Sequence, residues 1–260
     1  KDFTVWRNWG AQAWPTVALI DPAGNVVGMH SGEGVYATLQ PVIEGLLDEF
    51  SPSLDRNALE LTLESAAQVN TVLSFPGKVT ATSRGDRLFI ADTGHHRVVA
   101  ADAASGEVVA VYGSGAPGFE NGAAPQAQFH APQGLAFDEA SGILYVADTD
   151  NHAIRAIDTT SGEVDTIAGT GQLGWPPAAG LLDNVRLNSP WGLTFHDGKL
   201  WVAMAGFHQL WVIDTAAGIA TPAVGSAREG VANGPLTAAE LAQPSGLTFA
   251  GDGRLYFADA

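Results

Sequence analysis

The sequence predicts a mainly β protein of the propeller type, preceded by a smaller α/β segment, on three observations. The chain of 260 residues contains 31 glycines and 14 prolines, which divide it into short segments that suit strands. Similar motifs recur about every 56 residues in the range 75–260. Each repeat divides into four short apolar segments, and four strands in a repeat of this length are typical of a propeller blade.

The repeat is visible at single positions. The leucines of "RLFIADT", "ILYVADT" and "KLWVAMA" lie 56 residues apart, and a fourth copy runs from "LAQPSGLTF" to "RLYFADA". The same step separates equivalent histidines, aspartates and glycines. We therefore expect blades at 75–128, 129–186 and 187–240 and an incomplete blade at 241–260.

The second repeat shows how a blade is divided. Strands are expected at 134–137, 143–148, 153–158 and 163–169, separated by turns rich in Gly, Asp, Asn and Ser. Long connectors lead from one blade to the next. Each connector ends in an apolar residue, two other residues and a proline, and the connectors are expected on one face, where they can bind a partner.

The repeats amount to three and a half blades, whereas propellers close with about 4–8. Fewer blades would leave exposed sheet edges. We therefore expect the parent protein to continue past Ala260.

Residues 1–50 have a different pattern. Apolar runs at 16–21 and 25–32 flank the turn "DPAG", and 36–50 carries the apolar stripe of a helix. With "WPT" before the first strand, this order resembles the C-terminal half of a thioredoxin-like fold. The resemblance implies a cis Trp14–Pro15 bond beside redox cysteines. A plain ββα unit with a trans proline is the alternative. Residues 51–74 are a linker, containing either a strand or a short helix.

The whole chain resembles the NHL-repeat-containing protein 2 family, which joins a thioredoxin-like domain to an NHL propeller. The motifs that carry the resemblance are "FPGKV", "IADTGHHR", "VADTDNHAIR", "LWVAMAGFHQLW" and "AQPSGL". It implies a six-bladed propeller and a CxxC motif upstream of Lys1. Because the chain contains no cysteine, no catalytic cysteine of the family maps onto this sequence.

Histidines recur at one position of three blades, namely His96, His152 and His208. Equivalent positions lie a whole blade apart, so the side chains need not converge, and polar side chains in turns bond local backbone. Asp92 and Asp148 also correspond, but Met204 replaces them in the third blade. We therefore predict structural histidines, no metal site and no cofactor.

Four tryptophans are assigned by their surroundings. Trp201 and Trp211 alternate with apolar residues, which predicts packing between blades. Trp175 and Trp191 fall in connectors and are the candidates for a binding surface, because aromatic residues are enriched at interfaces.

The net charge of −16 and the lack of a basic run argue against nucleic acid. No apolar run is long enough to cross a membrane. We expect an interaction platform that binds a protein or peptide partner. The parent protein is expected to be a cytoplasmic monomer with a redox association. The alternative is a thiol-disulfide oxidoreductase whose CxxC lies upstream and whose propeller selects the substrate.

Overall fold

The computed structural model describes residues 8–10, 16–31, 35–52, 54 and 71–259. The chain forms two compact units, Lys1–Thr62 and Leu63–Ala260. The boundary between them falls inside the predicted linker. Apart from Leu54, the strand or helix predicted at 54–65 lies outside the described residues, as does the Trp14–Pro15 bond.

The first unit contains a hairpin and a helix. Strands β1 (Thr16–Ile20) and β2 (Val26–Ser31) pair antiparallel, and helix α1 (Val35–Glu49) follows. The turn between the strands is held by Asp21, whose carboxylate accepts a hydrogen bond from the Asn25 amide at 2.8 Å. The predicted order of strand, turn, strand and helix is confirmed. In the described part of the chain we find no helix with the length and apolarity to span a membrane.

The second unit is a series of antiparallel blades, each labelled here by its strands. Blade 1 contains β3 (Val79–Ala81), β4 (Arg87–Asp92), β5 (Arg97–Asp102) and β6 (Val108–Tyr112). Blade 2 contains β7 (Gly122–Ala123), β8 (Pro132–Asp138), β9 (Ile143–Asp148), β10 (Ala153–Asp158) and β11 (Glu163–Ala168). Blade 3 contains β12 (Gly180–Leu181), β13 (Pro190–His196), β14 (Lys199–Met204), β15 (Gln209–Asp214) and β16 (Ile219–Val224). Blade 4 contains β17 (Gly246–Phe249) and β18 (Leu255–Ala258).

The strand order confirms the propeller blades and adds one feature. In each of the first three blades the four main strands pair in chain order, as predicted. Blades 2 and 3 have a fifth strand on the outer side, because β7 pairs with β11 and β12 pairs with β16. These two-residue strands belong to connectors and are too short to show any periodicity in the sequence.

The hydrophobic core lies between neighbouring blades. Successive side chains of a strand point to opposite faces, so Leu144 and Val146 of β9 pack with residues of blade 1, while Tyr145 and Ala147 pack with residues of blade 3. The apolar residue near the end of each connector closes these layers: Phe129, Leu187 and Leu241 are all buried. The connectors are therefore anchored in the core at their C-terminal ends.

Candidate functional site

Two kinds of loop meet at one edge of the blades, which we call the connector edge. The first kind is the 3₁₀ turn inside a blade, at Thr93–His95, Thr149–Asn151 and Ala205–Phe207. The second kind is the connector between blades, at 113–131, 169–189 and 225–245. Turn and connector are hydrogen-bonded, since the Asp150 amide donates to the His130 carbonyl oxygen at 3.2 Å. The Thr149 hydroxyl also donates to the carbonyl oxygen of Pro190, the first residue of β13, at 2.7 Å.

The repeated histidines join each blade to the following connector. The Nδ1 atom of His96 accepts a hydrogen bond from the Ala131 amide, and that of His152 accepts one from the Ser189 amide, both at 3.1 Å. His208 Nδ1 donates to the carbonyl oxygen of Ala242 at 2.8 Å. The structural role predicted for these histidines agrees with these bonds, but the partners are 34 to 37 residues away and not in the local turn.

The backbone explains why these side chains reach the next connector. All three histidines adopt left-handed backbone angles, with φ between 49° and 54°, at the end of their 3₁₀ turns. Each histidine therefore engages its own connector, and the three rings are used separately. Within the described ranges, no group of three His, Cys, Asp or Glu side chains is placed to hold a metal ion.

Burial lowers the pKa of two of these imidazole rings. Burial lowers the pKa of His96 below its usual 6.5, the nearby His130 adds to this effect, and Asp150 opposes it. Burial also lowers the pKa of His152, again opposed by Asp150. The neutral imidazole is thus favoured, as a ring nitrogen must be unprotonated to accept a hydrogen bond from a backbone amide.

Fully buried carboxylates lie beneath the edge in blades 1 and 2. Asp148 accepts hydrogen bonds from the His130 amide at 2.7 Å, from Asn151 Nδ2 at 2.8 Å and from Arg155 Nη1 at 2.9 Å. Burial raises the pKa of Asp148, whereas the hydrogen bonds from Asn151 and His130 and the charge of Arg155 favour the ionised form. With these donors arranged around both oxygens, this carboxylate holds the connector and turn together.

Arg155 extends the same network into the first connector. Its guanidinium donates to the carbonyl oxygens of Gln128 and Glu120, each at 2.9 Å, and to Asn121 Oδ1 at 2.7 Å. The guanidinium carbon also lies 4.9 Å from the ring centroid of Phe119. This geometry is that of a cation–π contact, so the connector supplies both carbonyl and aromatic partners to one buried arginine.

Blade 3 replaces this polar network by apolar side chains at the same positions. Met204, Phe207 and Trp211 stand 56 residues after Asp148, Asn151 and Arg155. All three are fully buried, and the rings of Phe207 and Trp211 stack with centroids 5.4 Å apart. The Trp211 indole N–H donates to Gln209 Oε1 at 3.0 Å, so the exchange leaves this donor paired.

Trp175 lies over this apolar group on the second connector. Its ring centroid is 6.4 Å from that of Phe207, yet 64% of the residue is exposed. The Trp175–Pro176 peptide bond is cis. Trp175 therefore combines an exposed ring with a buried aromatic support.

The other predicted tryptophans occupy different places. Trp191 lies in β13, the first of the four main strands of blade 3, and is half-buried. Its assignment to a connector is therefore wrong. Trp211 is buried between blades 2 and 3. The ring centroid of Trp201 lies 5.4 Å from that of Phe249 in blade 4. Both confirm the predicted packing between blades. Trp14 and Pro15 lie outside the described residues.

The joint exchange in blade 3 was not among the predictions from the sequence. The 56-residue step relates Arg155 to Trp211 as directly as it relates Asp148 to Met204. Comparing the two substitutions would have revealed that an acidic residue and its basic partner disappear together. The pairing was missed because the two residues lie in different strands.

Comparisons with known proteins agree with this architecture. The NHL repeat family matches residues 129–157. Protein SUPPRESSOR OF QUENCHING 1, chloroplastic, of Arabidopsis thaliana is 36% identical over 270 residues, covering 100% of this chain and 26% of that protein. NHL repeat-containing protein 2 of Homo sapiens is 32% identical over 274 residues, covering 96% of this chain and 37% of that protein. The chain thus spans between about a quarter and two fifths of the length of these relatives.

Solved structures support the fold alone. A protein of unknown function from Bacteroides thetaiotaomicron superposes with a TM-score of 0.57 at 17% identity, covering 71% of this chain and 44% of that one. An auxiliary nutrient binding protein from the same organism superposes with a TM-score of 0.55 at 15% identity, covering 70% of this chain and 44% of that one.

Proposed function

We propose that this chain, whose homologues over nearly its whole length are NHL repeat-containing protein 2 and SUPPRESSOR OF QUENCHING 1, acts as a protein-interaction platform through its connector edge. The observation that carries the proposal is the combination of anchored connectors with exposed apolar side chains. Leu173, Trp175, Val231 and Leu236 are each more than half exposed on connectors. Exposed apolar side chains on an ordered scaffold are typical of binding surfaces.

The buried polar groups beneath the edge support binding in preference to catalysis. Asp148 and Arg155 are inaccessible to solvent and bond backbone groups of the connector. A catalytic acid or base must reach its substrate within hydrogen-bonding distance. These groups instead fix the shape of the surface, which lowers the entropic cost of binding a partner.

The first unit supports a redox association in the full-length protein. Its order of β1, β2 and α1 is the order that the resemblance to the C-terminal half of a thioredoxin-like domain implies. Met29 on the hairpin and Ile43 and Leu47 on the helix are exposed, as expected for layers that a larger α/β domain would cover. The proposed partner of the platform is a protein or peptide, and the proposed parent protein is a cytoplasmic monomer.

A thiol-disulfide oxidoreductase is the second candidate, favoured by the same first unit. Its thiolates would have to come from sequence before Lys1, because exchange begins with attack by a thiolate and this chain has no cysteine. In that case the propeller selects the substrate. Insulin reduction by the full-length protein, lost when the upstream cysteines are replaced by serine, would establish this function.

The platform is tested by comparing two altered surfaces. One variant carries Leu173→Ser, Val231→Ser and Leu236→Ser on the connectors, and the control carries Val108→Ser and Val109→Ser on the exposed outer strand β6. We expect proteins from the source cell to be captured by the immobilised wild-type chain and by the control, and to be lost with the connector variant. Equal capture by all three would refute the use of the connector edge.

A further inference from the structure

We propose that the connector edge binds a positively charged protein segment, with an arginine or lysine head on the exposed face of Trp175. This inference rests on the proposed function and specifies the chemistry of the partner. Three features carry it: the support beneath Trp175, the use of an aromatic ring elsewhere on the same edge, and the charge of the chain.

The side chain of Trp175 has a buried aromatic support on one side. Its centroid lies 6.4 Å from Phe207, which in turn stacks on Trp211 at 5.4 Å. Phe207 and Trp211 are fully buried, whereas Trp175 is 64% exposed. A rigid aromatic side chain loses little conformational entropy on binding, and tryptophans of this kind are frequent hot spots of interfaces.

Blade 2 shows what an aromatic ring on this edge binds. The first connector places Phe119 over the guanidinium of Arg155, with 4.9 Å between the guanidinium carbon and the ring centroid. In blade 3 the position of Arg155 is taken by Trp211. The second connector still carries a ring, Trp175, but the chain supplies no arginine at the matching position. Phe207 lies beside Trp175 instead, and because 64% of Trp175 is exposed, the outer face of its ring is open to a cation from another protein. Tryptophan is the strongest cation–π acceptor among the side chains.

The charge of the chain favours the same partner. Its net charge is −16, from 28 acidic and 12 basic residues. The turns and connectors of this edge carry exposed carboxylates at Glu120, Asp150 and Asp183, together with the exposed arginines Arg186 and Arg228. The net negative charge of the whole chain increases the rate of encounter with a positively charged segment and disfavours acidic competitors. Leu173, two residues from Trp175 and 55% exposed, offers apolar surface for the aliphatic stem of the arginine or lysine.

The experiment is a selection of phage-displayed random 12-residue peptides on the intact chain, after subtraction of peptides that bind the Trp175→Ala variant. Because the Trp175 side chain is mainly outside the core, this variant is expected to keep the wild-type melting temperature. We expect the selected peptides to be enriched in arginine and lysine and to carry a net positive charge.

The best peptide is then measured by fluorescence polarisation. We expect Trp175→Ala to weaken binding about tenfold, and Trp175→Phe to weaken it less, since a phenylalanine ring is a weaker cation acceptor. Replacing the central arginine of the peptide by neutral citrulline is expected to give a loss similar to that of Trp175→Ala, and raising the salt concentration should weaken binding further. Leu181→Ser, on the same connector and exposed, is the matched control and should bind as the wild type does.

The outcomes separate the two proposals. Selected peptides that depend on Trp175 but are neutral or acidic would leave the platform standing and overturn the positively charged partner. Failure to recover any peptide after the subtraction, while the connector variant still loses protein capture, would also overturn it. If no peptide binds and the connector variant Leu173→Ser, Val231→Ser, Leu236→Ser captures proteins normally, the platform itself is wrong.

Discussion

Replacing Asp148 by methionine tests whether the blade 2 network is a unit. The change removes the acceptor of three hydrogen bonds, from the His130 amide, Asn151 and Arg155. It leaves the guanidinium of Arg155 fully buried without its counterion. Breaking a buried pair in this way costs about 3–5 kcal/mol. For a chain of this size the melting temperature should fall by roughly 6–20 °C.

Blade 3 has an apolar group at the three equivalent positions, which suggests a compensating change. Adding Asn151→Phe and Arg155→Trp to Asp148→Met copies the Met204, Phe207 and Trp211 group into blade 2. We expect the triple variant to be more stable than Asp148→Met alone, because apolar replacement of a whole buried ion pair is often neutral. The remaining loss, about 1–3 kcal/mol, comes from fitting larger rings beneath a connector shaped for arginine and from the new indole N–H, because Ala153 stands where blade 3 has Gln209.

The measurement is urea unfolding followed by circular dichroism, with the slopes compared between variants. Asp92→Met in blade 1 is the matched control, since its partner Arg97 is 28% exposed and can be hydrated after the change. Its loss should be smaller, about 1–3 kcal/mol. A triple variant that is less stable than Asp148→Met, or an Asp148→Met variant as stable as the wild type, would refute the reasoning.

Three further changes test other contacts. The free energy of unfolding should fall as the pH drops below 6.5, because folding lowers the pKa of His96 and His152, so the folded chain binds fewer protons than the unfolded chain. In the double variant His96→Gln, His152→Gln the urea midpoint should lose part of this pH dependence, and an unchanged pH profile would contradict the prediction. Gly134→Ala should destabilise by about 1–3 kcal/mol because the new Cβ meets the Trp191 carbonyl oxygen of the next blade, whereas Gly28→Ala, where no atom lies within 4 Å, should be nearly neutral. The chain alone should reduce insulin no faster than the blank, because it has no cysteine to supply the attacking thiolate. A faster rate would contradict this prediction.

The blades were predictable because repetition and periodicity are properties of the sequence itself. The strands predicted at 143–148 and 153–158 coincide with β9 and β10. The fifth strands β7 and β12 were not predictable. Each has two residues whose backbone pairs with a strand far along the chain, and two residues are too few to show an alternating side-chain pattern. Pro190 was expected just before a strand, but β13 begins at Pro190, and Trp191, directly after it, therefore lies in the strand and not in a connector.

The candidate site was less predictable than the fold for a physical reason. Trp175 could be selected from the sequence as an aromatic residue in a connector, but its support comes from Phe207 in a turn, which itself stacks on Trp211 in a strand. Likewise, the partner of His96 is the Ala131 amide, 35 residues away. Such contacts arise only when the blade and the connector are folded against each other.

The exchange in blade 3 suggests how one scaffold separates stability from recognition. The same three positions accept either a hydrogen-bonded ion pair or a packed aromatic group, and both arrangements are buried. The choice changes what lies beneath the ring of the overlying connector: Phe119 packs over the chain's own Arg155, whereas Trp175 packs beside Phe207. An exchange at three buried positions thus replaces an internal cation by an apolar support for the connector ring, without altering the strands that carry it.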